Sequence, residues 1–114
     1  MRLSLKVDEK ELYETYYTMM NGIYGLTEKE ISIFSELLRA KDQGQLLFTE
    51  VNRKYIQSVL KLSQYSLNNY ISSLKAKGMI IDQPSGLEIN QRVLPDNQGG
   101  IVVAELRLLC DSTL

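Results

Sequence analysis

Apolar positions along the chain recur at helical spacing over three stretches. Between residues 63 and 77, Leu67, Ile71 and Leu74 repeat at i, i+4 and i+7, the stripe of an amphipathic helix. Ser63 stands at the N-cap of that helix, Leu62 and Leu67 supply a hydrophobic staple, and Gly78 follows where a left-handed C-terminal residue is wanted. The segment LTEKEISIFSELLRAKDQG predicts a second helix, of about fourteen residues, fraying near Lys41 to Gly44. In it Thr27 and Glu30 form a capping box, Leu26 and Ile31 a staple, and Ile31, Phe34, Leu37 and Leu38 an inward face. Its Glu28, Lys29 and Glu36 read as solvent-facing charge. Between these two, NRKYIQSVLKL predicts a helix capped by Thr49 or Asn52, with Ile56, Val59 and Leu60 as its apolar face.

The two ends follow other patterns. Leu3, Leu5 and Val7 alternate with Arg2, Ser4 and Lys6, as in a short strand. Asp8 or Glu9 then opens a helix to about Met20, with Leu12, Tyr16, Met19 and Met20 as its buried stripe and Asn21-Gly22 as its end. Tyr13, Tyr16, Tyr17 and Tyr24 crowd this region, which suits a core edge or subunit interface. After Gly78, Met79-Ile80-Ile81-Asp82 and Leu87-Glu88-Ile89-Asn90 flank the turn Gln83-Pro84-Ser85-Gly86, predicting a β-hairpin. The polar stretch from Asn90 to Gly100, with Pro95, reads as a loop. From Ile101 to Cys110 the chain alternates, with Val102, Ala104, Leu106, Leu108 and Cys110 on one face. This predicts a strand that pairs with the N-terminal strand or with its counterpart in a second subunit, since an exposed edge is an aggregation liability.

Composition narrows the class. The chain has 114 residues, 44% hydrophobic and 24% charged, ordinary values for one globular domain. The single Cys110 permits no internal disulfide, which suits a reducing compartment. No apolar run approaches the roughly 18 residues of a membrane span, and MRLSLKVDEKE lacks the form of a signal peptide. The expected location is cytoplasmic. There is no histidine, Gly22 and Gly25 match no nucleotide-binding loop, and Cys110 reads as a small buried hydrophobe. Neither catalysis nor a cofactor or metal is expected.

Charge is uneven. The net charge is −1, yet residues 51–92 hold Arg53, Lys54, Lys61, Lys75, Lys77 and Arg92 against only Asp82 and Glu88. Positive charge therefore gathers around the helix over 63–77, as phosphate binding requires. The face of that helix opposite Leu67 carries Tyr65, Asn68, Asn69, Ser72 and Ser73 and no charge. Amides and hydroxyls suit base edges better than simple solvation.

The run from LT-x-x-E through the capped third helix to LSQYSLNNYISSLKAKGMI and its hairpin resembles a winged helix-turn-helix of the MarR-like kind. The wider layout, closing on IVVAELRLL, resembles small phage or plasmid regulatory proteins. The expected fold is α+β, mainly α, as a single domain. It comprises an N-terminal strand and helix over 1–25, the winged helix-turn-helix over 26–92, and a loop and C-terminal strand over 93–114. The resemblance implies that helix 63–77 enters a major groove, with Gln64, Tyr65, Ser66, Asn68, Asn69 and Ser72 facing the bases, while the wing touches backbone or minor groove. From their charge, Arg53, Lys54, Lys61, Lys75 and Lys77 are the expected phosphate contacts. The chain departs from the family in having no Arg or Lys at the wing tip, 83–86, and Asn69 where an Arg is frequent.

Two functions follow as expectations. One is a regulator of transcription or replication that binds double-stranded DNA as a homodimer, built by the apolar surfaces at both ends. The alternative is a protein-interaction module of the same fold, with a polymerase, replisome or virion component as partner.

Overall fold

The computed structural model describes residues 11–98 and 101–103. In chain order they form α1 (Leu12–Met19), α2 (Asn21–Tyr24), α3 (Glu28–Asp42), α4 (Glu50–Leu60), α5 (Gln64–Ala76), β1 (Ile80–Gln83), β2 (Gly86–Ile89), a 3₁₀ turn (Gln91–Val93), β3 (Asp96–Gln98) and β4 (Ile101–Val103). The fold is α+β and mainly helical. Among the described residues no helix is long and apolar enough to cross a membrane. The expected strand at Leu3, Leu5 and Val7, the helix start at Asp8 or Glu9, and the strand from Ala104 to Cys110 lie outside the described residues.

Each long helix begins where a side chain satisfies an otherwise unpaired backbone N–H. Thr27 Oγ1 accepts from the Glu30 N–H at 3.2 Å, while Glu30 Oε1 accepts from the Thr27 N–H at 2.9 Å, completing the capping box of α3. Thr49, rather than Asn52, caps α4, accepting from the Asn52 N–H at 3.2 Å. Asn52 is buried in the first turn, and its amide donates to the Leu47 carbonyl at 2.7 Å. Ser63 caps α5 by accepting from the Ser66 N–H at 3.1 Å. At the far end of α5, Gly78 adopts φ 81° and lets the Met79 N–H reach back to the Leu74 carbonyl at 3.0 Å, the pattern that closes a helix on a left-handed residue.

The core lies between α3 and its neighbours. Ile31, Ile33, Phe34, Leu37 and Leu38 of α3 are buried with Ile56 of α4 and Leu67, Ile71 and Leu74 of α5. Burial of each α5 side chain contributes about 1.5–3 kcal/mol relative to exposure, and this seats the helix with its stripe inward. The hairpin β1–β2 is antiparallel with Ile80 opposite Ile89 and Pro84-Ser85 at its turn. Ile80 and Ile89 are both buried, and Met79 and Val93 close the same cluster.

Several expectations are corrected. In α1 the buried residue is Tyr17, while Met19 is 60% exposed and Leu12, Tyr16 and Met20 are half-buried. Apolar and aromatic residues ring this short helix, so spacing alone picks no unique face. Contact with α3 decides it: the Tyr17 ring packs edge-on against Phe34 at 5.1 Å and against Tyr16 at 5.0 Å. The helix ends at Met19, close to the expected Met20, but Asn21-Gly22 opens a second short helix, α2, which stops at Gly25, where φ is 67°. Val59 is largely exposed, leaving Ile56 and Leu60 as the inward face of α4. Glu36 is half-buried and paired with Arg39 at 2.8 Å, which in turn holds Glu14 of α1. The stretch from Asn90 is not all loop. Asn90 accepts from the Arg92 N–H, starting the 3₁₀ turn, and its amide donates to the Gly78 carbonyl at 2.7 Å. The strand at Ile101–Val103 pairs with Asp96–Gln98 as a local hairpin, a partner that the sequence pattern did not indicate; the expected pairing with the N-terminal strand falls on residues outside the described ones.

Candidate nucleic-acid interface

Helix α5 presents three distinct sides. With Leu67 set at zero and about 100° per residue, Tyr65, Asn69 and Ser72 fall within roughly 40° of the opposite pole, Asn68 and Lys75 lie on one flank, and Ser73 and Lys77 on the other. The pole is open. Tyr65 is 76% exposed, Asn69 and Ser72 are exposed, and among the described residues none of the three bonds to another side chain. Gln64 is likewise exposed, whereas Ser66 is half-buried and its hydroxyl takes a 3.0 Å bond from Ser63 inside the cap. Ser66 is therefore occupied in the helix start and is not presented for base contact.

The flank toward α3 is committed to structure. Ser73, expected on the polar face, is half-buried and donates to Glu30 Oε2 at 2.7 Å. Lys77 donates to Glu30 Oε1 at 2.6 Å and to the Gly25 carbonyl at 2.9 Å. Glu30 itself is buried. Burial alone would raise its pKa, but hydrogen bonds from Lys77, Ser73 and Thr27 outweigh it and hold the carboxyl down at about 2. A lysine that satisfies a buried carboxylate is not released to a phosphate without leaving that charge unpaired. Lys77, expected to contact phosphate, is held in the free chain as a tether of α5 onto α3.

The other flank meets α4 and the hairpin. Arg53 of α4, half-buried, donates through Nη1 to Asn68 Oδ1 at 2.8 Å and through Nε to the Phe48 carbonyl at 3.4 Å. Lys75 forms an ion pair with Asp82 of β1, and Lys54 pairs with Glu50 at 3.2 Å within α4. Both pairs are solvent-exposed, so each is worth at most about 1 kcal/mol and can exchange for a phosphate at small cost. Lys61 is exposed in the three-residue link between α4 and α5, with no ion-pair partner among the described residues and φ 55°. Four of the five expected phosphate contacts thus serve no buried carboxylate, whereas the fifth, Lys77, though 32% exposed, is held by one.

Two features escaped the sequence pattern. Glu30 joins the cap of α3 to α5 across more than forty residues, which a local capping box cannot reveal. On α4, Val51, Tyr55 and Val59 recur at i, i+4 and i+8 on one exposed face, at 82%, 56% and 46% exposure. With Leu46, Val51 and Tyr55 line an open groove of about 870 Å³ against the end of α3. Among the described residues no group of three or more His, Cys, Asp or Glu side chains converges as a metal site. No family model, curated protein or solved structure matches this chain.

Proposed function

We propose that residues 26–92 form a winged helix-turn-helix of the MarR-like kind that binds double-stranded DNA, with α5 in the major groove and β1–β2 alongside the backbone. One observation carries this reading. A three-residue link joins α4 to α5, and the outer pole of α5 carries no charge: it holds the hydrogen-bonding side chains of Tyr65, Asn69 and Ser72, with Ala76 at its end. Cations, Arg53, Lys54, Lys61 and Lys75, stand to its sides. Uncharged donors and acceptors in the centre with positive charge at the rim is the arrangement that separates base reading from phosphate positioning. The hairpin tip, without Lys or Arg, serves as a spacer against the backbone and not as a minor-groove probe. A homodimer doubles the modest charge and spans two half-sites about one helical turn apart. The role is that of a cytoplasmic regulator of transcription or replication, and no catalytic step is assigned to it.

Anisotropy of a labelled random duplex, titrated with the full chain between about 50 and 200 mM salt, tests the reading. Four accessible cations per subunit predict a log–log salt slope of about −3 to −4 for each bound subunit. Absence of binding at the lowest salt overturns it. A second reading, docking on another protein, is favoured by the exposed Val51, Tyr55 and Val59 stripe. It takes precedence if duplex binding is absent.

A further inference from the structure

The Arg53–Asn68 bond changes what Asn68 can read. An asparagine recognises adenine by using both ends of its amide, the oxygen accepting from N6 and the nitrogen donating to N7. Here the oxygen faces a guanidinium. Arginine has no acceptor, so the amide atom 2.8 Å from Nη1 must be the carbonyl oxygen, and the bond fixes which way round the amide sits. The Nε contact to the Phe48 carbonyl holds the guanidinium from behind. A charge-assisted bond is roughly twice as strong as a neutral one, so an adenine amino group competes poorly for that oxygen. Among the described residues the Nδ2 amide and the remaining guanidinium N–H groups of the pair have no hydrogen-bond partner, and all are donors.

Resting on the DNA-binding reading above, we propose that Arg53 and Asn68 act as one donor-only element that selects guanine, whose major-groove edge offers two acceptors, N7 and O6. Adenine selection falls instead to Asn69 at the pole of α5, whose amide has no side-chain partner among the described residues. Arg53 is here both a contact and a positioning residue: it sets the orientation of Asn68 from the neighbouring helix. This division of labour turns two adjacent asparagines, chemically identical in sequence, into readers of different bases.

Selection of bound duplexes from a randomised library, followed by anisotropy on single-base variants of the preferred site, tests the proposal. The wild-type site is expected to hold a guanine whose replacement by adenine weakens binding roughly tenfold or more. Asn68→Ala should flatten the preference at that position only. Arg53→Met, which frees the amide oxygen, should move the preference there from guanine toward adenine. Asn68→Asp keeps an acceptor for Arg53 while removing the Nδ2 donor, so it should retain the fold and lose the guanine preference. Guanine and adenine duplexes weakened equally by Arg53→Met, or an adenine at the Asn68-dependent position in wild type, overturns the proposal while leaving DNA binding standing. A wild-type chain that binds no duplex overturns the DNA reading and the proposal with it.

Discussion

Glu30→Gln is the substitution that most directly tests how α5 is held. The side chain is 2% exposed and accepts from the Thr27 N–H, the Ser73 hydroxyl and the Lys77 ammonium at 2.9, 2.7 and 2.6 Å. Its carboxyl falls from 4.5 to about 2 on folding, which corresponds to roughly 3 kcal/mol favouring the charged form. Glutamine keeps the shape and one acceptor oxygen, but it turns an amide donor toward Ser73 and removes the charge. Breaking a fully buried pair costs about 3–5 kcal/mol. The Lys77 side chain is 32% exposed and can turn to water, so the expected loss is smaller, about 2–3 kcal/mol at pH 7. For a domain of this size that is roughly 10–20 °C in Tm. The pH dependence gives a second handle. A carboxyl whose pKa is depressed by folding stabilises above its unfolded value, and the contribution is lost as pH falls from about 5 toward 2. At pH 3 roughly 2 kcal/mol of the wild-type advantage should be gone. Urea unfolding of both proteins at pH 7 and pH 3 checks this. A gap below about 0.5 kcal/mol at pH 7, or one that does not narrow at pH 3, would refute the assignment of Glu30 as the charged anchor of α5.

Other substitutions separate tether from contact. Tyr17 donates to the Val93 carbonyl at 2.7 Å in the buried core; Tyr17→Phe leaves that carbonyl unpaired and should cost about 1–2 kcal/mol in urea unfolding. Lys61 holds a left-handed conformation at φ 55°, so Lys61→Gly should raise stability by about 0.5–1 kcal/mol while lowering the salt slope of DNA binding by about one. Opposite signs in one variant are the signature, and a loss of stability would show that the link is not strained. Lys77→Gln should destabilise the fold and leave the salt slope unchanged, whereas Lys54→Gln should lower the slope by about one and leave stability within about 0.5 kcal/mol.

What was legible in the chain was local. Thr27 with Glu30, Ser63 before α5, Gly78 after it and the turn at Pro84-Ser85 each state their conformation within four or five residues, and each stands where its chemistry puts it. The departures arise where a choice depends on distant partners. Tyr16 and Tyr17 are equivalent to any periodicity in a short helix ringed with tyrosine and methionine, and only Phe34 tells them apart. Asp96–Gln98 has a composition that disfavours strands, and its pairing with Ile101–Val103 supplies the reason it is one. The candidate site shows the same division more sharply. That α5 has an uncharged polar face is a property of thirteen consecutive residues, but which of its members are open is not.

Availability, not number, of charged groups sets what this surface can do. Residues 51–92 carry six cations against two carboxylates, yet the carboxylate that matters most, Glu30, lies outside that stretch and engages Lys77 and Ser73 at the edge of the proposed interface. The same folding step bonds Arg53 to Asn68 without neutralising it, so its charge remains while the amide loses its freedom to turn. On the DNA-binding proposal, fewer available cations per subunit weaken sequence-independent binding, and a larger share of the affinity must then come from Tyr65, Asn68, Asn69 and Ser72. On this argument removal of the Asn69 amide should cost the preferred duplex far more than a random one. The ratio of those two losses measures how far discrimination by this surface depends on the Asn69 amide at the pole of α5.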